Sequence, residues 1–171
     1  MMIDDPIILV VDDNPNDSQL MRIVFERAGF VQPLRFVPDG DAAITYLGGQ
    51  GRYRNRKLHP LPTTVLMDLN MPGKNGFEVL DWIRRQPHLR RLRVYILSAS
   101  SRPEDIARAY DLGANSYLVK PSTLGGLLHL AQCLMSWLKI SHFAPITDAA
   151  AAVSAPVSAE TSRTHLVDSA V

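Results

Sequence analysis

Hydrophobic and polar positions alternate between two periods along most of the chain. Ile7 to Val11 is a five-residue apolar run flanked by Asp4, Asp5, Asp12 and Asp13, the pattern of a strand buried on both faces of a parallel sheet. A helix follows: Asn14 can cap it, Pro15 suits its first turn, Leu20, Val24 and Ala28 mark one face with Ile23 and Phe25 nearby, and Gly29 ends it. Leu34 to Val37 reads as a second strand, followed by an Asp39-Gly40 turn and a short helix from Asp41 to Leu47. Thr64 to Met67 is the third strand and Gly76 to Arg85 the third helix, with Phe77, Leu80 and Ile83 facing inward. Val94 to Leu97 is the fourth strand. The helix after it shows a capping-box pattern, Ser101 with Glu104, and Gly113 stops it. Ser116 to Val119 is the fifth strand, and a last helix runs from about Ser122 to Ile140. Five strands alternating with five helices predict an α/β fold, a doubly wound parallel sheet with helices on both faces.

Two segments depart from this rhythm. Residues 48–62 form a long connection with Gly48, Gly49, Gly51 and two prolines, of the length that usually marks function or mobility. From Asp148 onward the last 24 residues include 7 Ala, 4 Ser and 2 Thr and no aromatic, too few large apolar groups to offset the entropy of ordering. The expectation is one folded body over residues 1–142 and a disordered Ala/Ser-rich tail over 143–171.

The total of 171 residues and the 46% hydrophobic content suit one ordinary folded domain. A net charge of +1 gives no global case for nucleic acid or an anionic membrane, and neither is expected as a partner. The lone Cys133 allows no internal disulfide, and with no cysteine clusters in the chain structural zinc sites are excluded. No run is long enough for a signal peptide or a membrane span, so a cytoplasmic location is expected. Basic residues cluster at Arg52, Arg54, Arg56 and Lys57 and again at Arg84, Arg85, Arg90, Arg91 and Arg93, which as charge runs alone read as solvated surface.

The chemistry lies at the strand ends. Asp12 and Asp13 follow the first strand, Asp68 the third, Ser98 the fourth and Lys120 the fifth. In an open parallel sheet, ligands bind beyond the carboxyl ends of the strands, at the point where strand order reverses. Ordinary helix caps would explain one or two of these residues, but not the mixture of carboxylates, hydroxyl and ammonium. Three carboxylates at one edge repel unless a hard divalent cation such as magnesium sits among them. A carboxylate there can also attack phosphorus and form an aspartyl phosphate, whose oxygens the cation, the lysine and the hydroxyl would neutralise.

Val11-Asp12-Asp13-Asn14, Met67-Asp68-Leu69-Asn70-Met71-Pro72-Gly73 with Gly76 following, Leu97-Ser98-Ala99 and Gly113 to Pro121 occur in order and at fitting spacings. This set resembles the CheY-like receiver domain of bacterial two-component response regulators, over about residues 6–140. The resemblance implies a flavodoxin-like five-stranded sheet in the order 2-1-3-4-5. It implies that Asp68 accepts a phosphoryl group from a histidine kinase, and that Mg2+ or Mn2+ is bound by Asp12, Asp13, Asp68 and the Asn70 backbone carbonyl. By the same resemblance, Lys120 pairs with the phosphoryl group, Ser98 and Tyr117 act as the switch pair, and Lys120–Pro121 is a cis peptide. The protein would catalyse only its own phosphorylation and dephosphorylation.

Too little chain follows the last helix for an output domain, so signalling through altered protein contacts with a downstream protein is expected. A phosphorelay shuttle is the alternative. A haloacid-dehalogenase-like phosphatase would need a second acid where Asn70 stands, and a pseudo-receiver would lack residues that are present here. The basic 48–62 connection, with the surrounding motifs, is similar to stand-alone receivers paired with phytochrome-type kinases.

The last helix carries two apolar stripes. Leu124, Leu127, Leu128, Ala131, Leu134, Met135 and Leu138 should pack on the sheet, while Leu130, Cys133, Trp137 and Ile140 form a second stripe turned well away from the first. Either Phe143 and the tail entry fold over that stripe or another molecule covers it, and a homodimer through Leu130, Trp137 and Ile140 is the favoured expectation.

Overall fold

The computed structural model describes residues 6–31, 34–141 and 146. Five strands, β1 (Ile8–Val11), β2 (Arg35–Val37), β3 (Thr64–Met67), β4 (Arg93–Ser98) and β5 (Ser116–Val119), form one sheet in the order β2-β1-β3-β4-β5. All pairings are parallel, with Val10 beside Phe36 and Leu66, Leu66 beside Tyr95, and Ile96 beside Tyr117. Order reverses between β1 and β3. That gap opens the crevice at the carboxyl edge.

Helices α1 (Pro15–Arg27) and α5 (Leu124–Ile140) cover one face. Their core joins Ile8, Val10, Leu66 and Tyr95 to Met21, Val24, Phe25, Ala131 and Met135. Helices α2 (Gly40–Leu47), α3 (Gly76–Arg85) and α4 (Pro103–Asp111) cover the other. There Leu9, Val11, Val65, Met67 and Ile96 meet Ala43, Leu47, Leu80, Ile83 and Ala109. The central strands are buried on both faces, which is why their sequences run apolar without alternation.

The ends of the elements follow local chemistry. The Asn14 side chain accepts from the Asn16 N–H at the start of α1, and Gly29 (φ +84°) and Gly113 (φ +89°) close α1 and α4 in the left-handed region. The capping box expected at Ser101 and Glu104 does not form. Arg102 occupies the N-cap of α4 without a side-chain cap bond, and the Ser100 hydroxyl donates to Asp105 instead, at 2.6 Å. The capping box belongs to α3: Asn75 Oδ1 accepts from the Glu78 N–H, and Glu78 accepts from the Asn75 N–H.

The 48–62 connection is built, not loose. It holds a short 3-10 turn (Gly51–Tyr53), an aromatic cluster of Tyr46, Tyr53 and His59, and a hydrogen bond from the Tyr46 hydroxyl to the Pro60 carbonyl. Arg56 donates to the carbonyls of Tyr46 and Leu47, both at 2.8 Å, and so satisfies the carboxyl end of α2.

On α5, Leu127, Ala131, Leu134, Met135 and Leu138 are buried as expected, whereas Leu124 is exposed at the first turn. Leu130 corrects the second stripe. It is half-buried against the α1/α5 core, because it lies on the flank of the helix nearer the inward face, and the outer face is left with Cys133, Trp137 and Ile140. Phe143 and nearly all of the expected tail lie outside the described residues. Ile146, the one described residue after Ser141, packs against the α2/α3/α4 core.

Candidate phosphoryl-acceptor site

Three strands deliver the site by extending the ladder one residue past their ends. The Asp12 N–H donates to Val37 O, the Asp68 N–H to Val11 O, and the Lys120 N–H to Ser98 O. Asp12, Asp68 and Lys120 therefore emerge side by side at the carboxyl edge. The Lys120 Nζ donates to Asp12 Oδ2 and Asp68 Oδ2, both at 2.7 Å, and to Asp17 Oδ2 at 3.1 Å.

Local turns aim the carboxylates. Asp12 Oδ1 accepts from the Asn14 N–H at 2.9 Å and Asp68 Oδ1 from the Asn70 N–H at 3.2 Å, so each acid folds its own loop around itself. Asp12 is 5% exposed, while Asp13 beside it lies in the open at the mouth of a cavity of about 300 Å³. Gly76 lets α3 approach the acceptor strand. A Cβ there would overlap the Asp68 carbonyl oxygen.

Burial by itself would push the Lys120 ammonium toward deprotonation. Hydrogen bonds and charge from Asp12 and Asp68 outweigh that and hold its pKa above the usual lysine value. The lysine is thus a fixed positive charge at any physiological pH.

Ser98 and Tyr117 also come together. Ser98 is fully buried at the end of β4, and its hydroxyl oxygen lies 3.4 Å from the Ser100 N–H. The Tyr117 ring is turned inward, with its hydroxyl donating to Ser100 O at 2.9 Å. Burial raises the Tyr117 pKa, partly offset by that hydrogen bond, so the phenol stays protonated as a donor.

Asp12, Asp13, Asp68, Asn70, Ser98, Tyr117 and Lys120 all stand along one edge. The Lys120–Pro121 bond is trans, contrary to the cis peptide implied by the family resemblance. Trans is the intrinsically favoured isomer by about 0.5–1 kcal/mol, and with it the Lys120 N–H and ammonium both already reach their partners. Two participants were not foreseen. Asp17, in the first turn of α1, gives Lys120 a third carboxylate, and Ser100 links Tyr117 to Asp105 of α4. The only sequence signal for Asp17 is its place three residues after the Asn14 cap, whose amide reaches it at 3.2 Å.

Among the described residues, no three His, Cys, Asp or Glu side chains already stand at metal-binding spacing. Lys120 lies between Asp12 and Asp68 instead. The donor set still suits a hard cation: it is all oxygen, and the carboxylates at this edge outnumber the one ammonium among them.

The profile of the response regulator receiver domain matches residues 8–132. The chain belongs to the response regulator receiver family. This receiver is 37% identical over 134 residues to response regulator Rcp1 of Synechocystis, covering 78% of this chain and 89% of the relative. The Mn2+-bound crystal structure of Rcp1 superposes with a TM-score of 0.74 at 35% identity, covering 82% of this chain and 99% of that one. The phosphorylated cyanobacterial phytochrome response regulator RcpA matches with a TM-score of 0.74 at 32% identity, over 81% and 97% of the two chains. RPA3017, a response regulator in red light signalling of R. palustris, gives a TM-score of 0.78 at 35% identity, over 83% and 99%. The receiver is thus a phosphoacceptor module of two-component signalling, a partner of histidine kinases, with the 2-1-3-4-5 sheet of the CheY-like fold. Among the described residues, no helix is long and apolar enough to cross a membrane.

Proposed function

We propose that Asp68 is the phosphoacceptor of this receiver. The supporting observation is the convergence of Asp12, Asp68 and Lys120 from three different strands, with the ammonium 2.7 Å from both carboxylates. An Asp68 oxygen attacks the phosphorus of a phosphohistidine, the P–N bond breaks, and the imidazole leaves with the bonding pair. Lys120 then exchanges a carboxylate for a phosphoryl oxygen, and the Ser98 hydroxyl donates to another. A divalent cation, Mg2+ or Mn2+, would be held by Asp12, Asp13, Asp68 and the Asn70 backbone carbonyl, and supplies positive charge to the phosphoryl oxygens.

The same residues let the receiver promote its own phosphorylation and later hydrolysis, with no outside substrate turned over. Asn70 gives its N–H to Asp68 and cannot serve as the second acid of a dehalogenase-type phosphatase. As Ser98 moves toward the phosphoryl group, the hydrogen bond from Tyr117 to Ser100 couples that motion to the start of α4.

The phytochrome-type relatives support a light- or redox-sensing histidine kinase as the donor. The output is protein contact, and the outer face of α5 supports a homodimer: Ile140 is 76% exposed and Trp137, stacked edge-on against Tyr95, 45%. Acetyl phosphate with Mg2+ tests the acceptor. One labile phosphoryl group that is lost on Asp68→Asn fits the reading; continuous release of phosphate from unrelated esters, or an unmodified protein, contradicts it. A kinase panel tests the donor: equal phosphotransfer rates from unrelated kinases would remove the phytochrome-type assignment.

A further inference from the structure

The Lys120 ammonium carries three protons and gives one to each of three carboxylates: Asp12 Oδ2 and Asp68 Oδ2 at 2.7 Å, and Asp17 Oδ2 at 3.1 Å. The acceptor chemistry uses the first two acids and has no part for the third. Asp17 also differs from them in place. It stands in the first turn of α1 instead of at a strand end, and its side chain is 39% exposed, whereas Asp12 and Asp68 are largely buried.

The two inner contacts occupy the oxygens that a cation needs. Asp12 Oδ1 accepts from the Asn14 N–H and Asp68 Oδ1 from the Asn70 N–H, which leaves the Oδ2 of each facing the crevice, and the ammonium sits on both. A divalent cation and an ammonium repel each other, so a cation that takes these oxygens displaces the lysine from them.

The displaced ammonium has one carboxylate already in hand. The Lys120 backbone is pinned, its N–H donating to Ser98 O at 2.8 Å, so only the four-carbon stem can move. A largely buried charge must keep a counter-charge, and Asp17 supplies one with no new contact to form. Asp17 is itself held in place: the Asn14 side-chain amide donates to its Oδ1 at 3.2 Å, and the amino end of α1 favours a negative charge there.

We propose that Asp17 is a positioning residue that keeps the Lys120 ammonium at the site when a divalent cation takes the Asp12 and Asp68 oxygens, and from which the ammonium reaches an arriving phosphoryl oxygen. Asp17 forms no bond to phosphorus, and no proton changes its owner. The proposal rests on the reading of this edge as a cation-dependent phosphoryl acceptor.

The test is the Mn2+ affinity of the full chain, read from the electron paramagnetic resonance of the unbound ion with no phosphoryl donor present. Asp17→Asn is compared with Asp41→Asn, which removes a charge whose partner is Lys74 instead of Lys120. Without Asp17 the ammonium stays on Asp12 and Asp68 and competes with the cation, so Asp17→Asn should weaken Mn2+ binding about tenfold, as expected for members of one hydrogen-bonded network. Asp41→Asn acts only through the general field of the edge and should cost about twofold or less. In a Lys120→Met background the competitor is gone, and the Asp17→Asn loss should shrink to that of Asp41→Asn. Circular dichroism checks that Lys120→Met folds, and salt asks the same question without it: at about 0.5 M KCl the Asp41 effect should vanish while the Asp17 effect persists, because a largely buried pair is little screened.

Equal losses in the two lysine backgrounds, or a loss that disappears with salt, make Asp17 a diffuse charge and overturn the proposal. Unchanged Mn2+ affinity in Asp17→Asn overturns it as well. An unsubstituted chain that binds no Mn2+ overturns it together with the cation reading. A chain that shows the predicted Mn2+ pattern yet gains no phosphoryl group from acetyl phosphate removes the acceptor reading and still supports the hold of Asp17 on Lys120.

Discussion

Lys120 shows most plainly how single residues carry this molecule. Its ammonium balances Asp12, Asp17 and Asp68, so removing it leaves carboxylates crowded and largely buried. Lys120→Met should lower unfolding free energy by about 3 kcal/mol, read by urea denaturation at neutral pH, because breaking one side of a buried pair costs more than the pair is worth. The pH dependence has a definite sign. The native pKa lies above the unfolded one, so this stabilisation is complete below the ordinary lysine range near 10.4 and is lost only as pH rises through the higher native value. The pH dependence of the unfolding midpoint should therefore carry no contribution from Lys120 between about pH 6 and 9, where its stabilisation is full and constant. Gly76 offers a second check. Gly76→Ala should cost about 1–3 kcal/mol by forcing α3 off the Asp68 carbonyl, and should slow phosphorylation as well as lower the melting temperature. Asp12, Asp68, Ser98 and Lys120 were legible in the sequence because each directly follows or ends an apolar run, and the sheet does the rest. Asp17 was not, since its partner Lys120 lies 103 positions away and only the folded α1 start brings them together.

At the scale of elements, strands and helices followed the periodicity closely, and the errors fell at their ends. Ser101 and Glu104 matched a capping pattern, yet Asp105 took the hydroxyl of Ser100 and the cap formed at Asn75 instead, because side-chain competition is settled by tertiary placement. The length, glycines and prolines of the 48–62 connection point to a functional or mobile segment. Its order comes from contacts that sequence spacing does not reveal: the Tyr46, Tyr53 and His59 rings and the guanidinium of Arg56 on the end of α2. Arg56→Ala should destabilise the fold by about 1.5–3 kcal/mol, the worth of charged hydrogen bonds to backbone carbonyls. Hydrogen exchange should locate the loss at the end of α2 and the connection, and leave β1 and β3 protected.

Across the whole molecule, charge is polarised along the strands. Asp12, Asp13, Asp17, Asp39, Asp41, Asp68, Glu78, Glu104 and Asp105 gather at the carboxyl edge, where the helices begin. Arg52, Arg54, Lys57, Arg84, Arg85, Arg90, Arg91 and Arg93 gather toward the other edge. The near-neutral total hides this separation. The acidic edge draws cations toward the site, so the apparent affinity for Mg2+ should fall as salt rises, measurable by titration at two ionic strengths. The α5 dimer is tested at the same scale: a light-scattering mass that stays near 19.0 kDa at high concentration would contradict it. The central claim is that Asp68 takes the phosphoryl group. Borohydride reduction of the protein after treatment with acetyl phosphate and Mg2+, followed by peptide mass mapping, reads the acceptor directly. The account predicts conversion of residue 68 alone, abolished by EDTA; conversion at Asp12, Asp13 or Asp17, or none at residue 68, would contradict it.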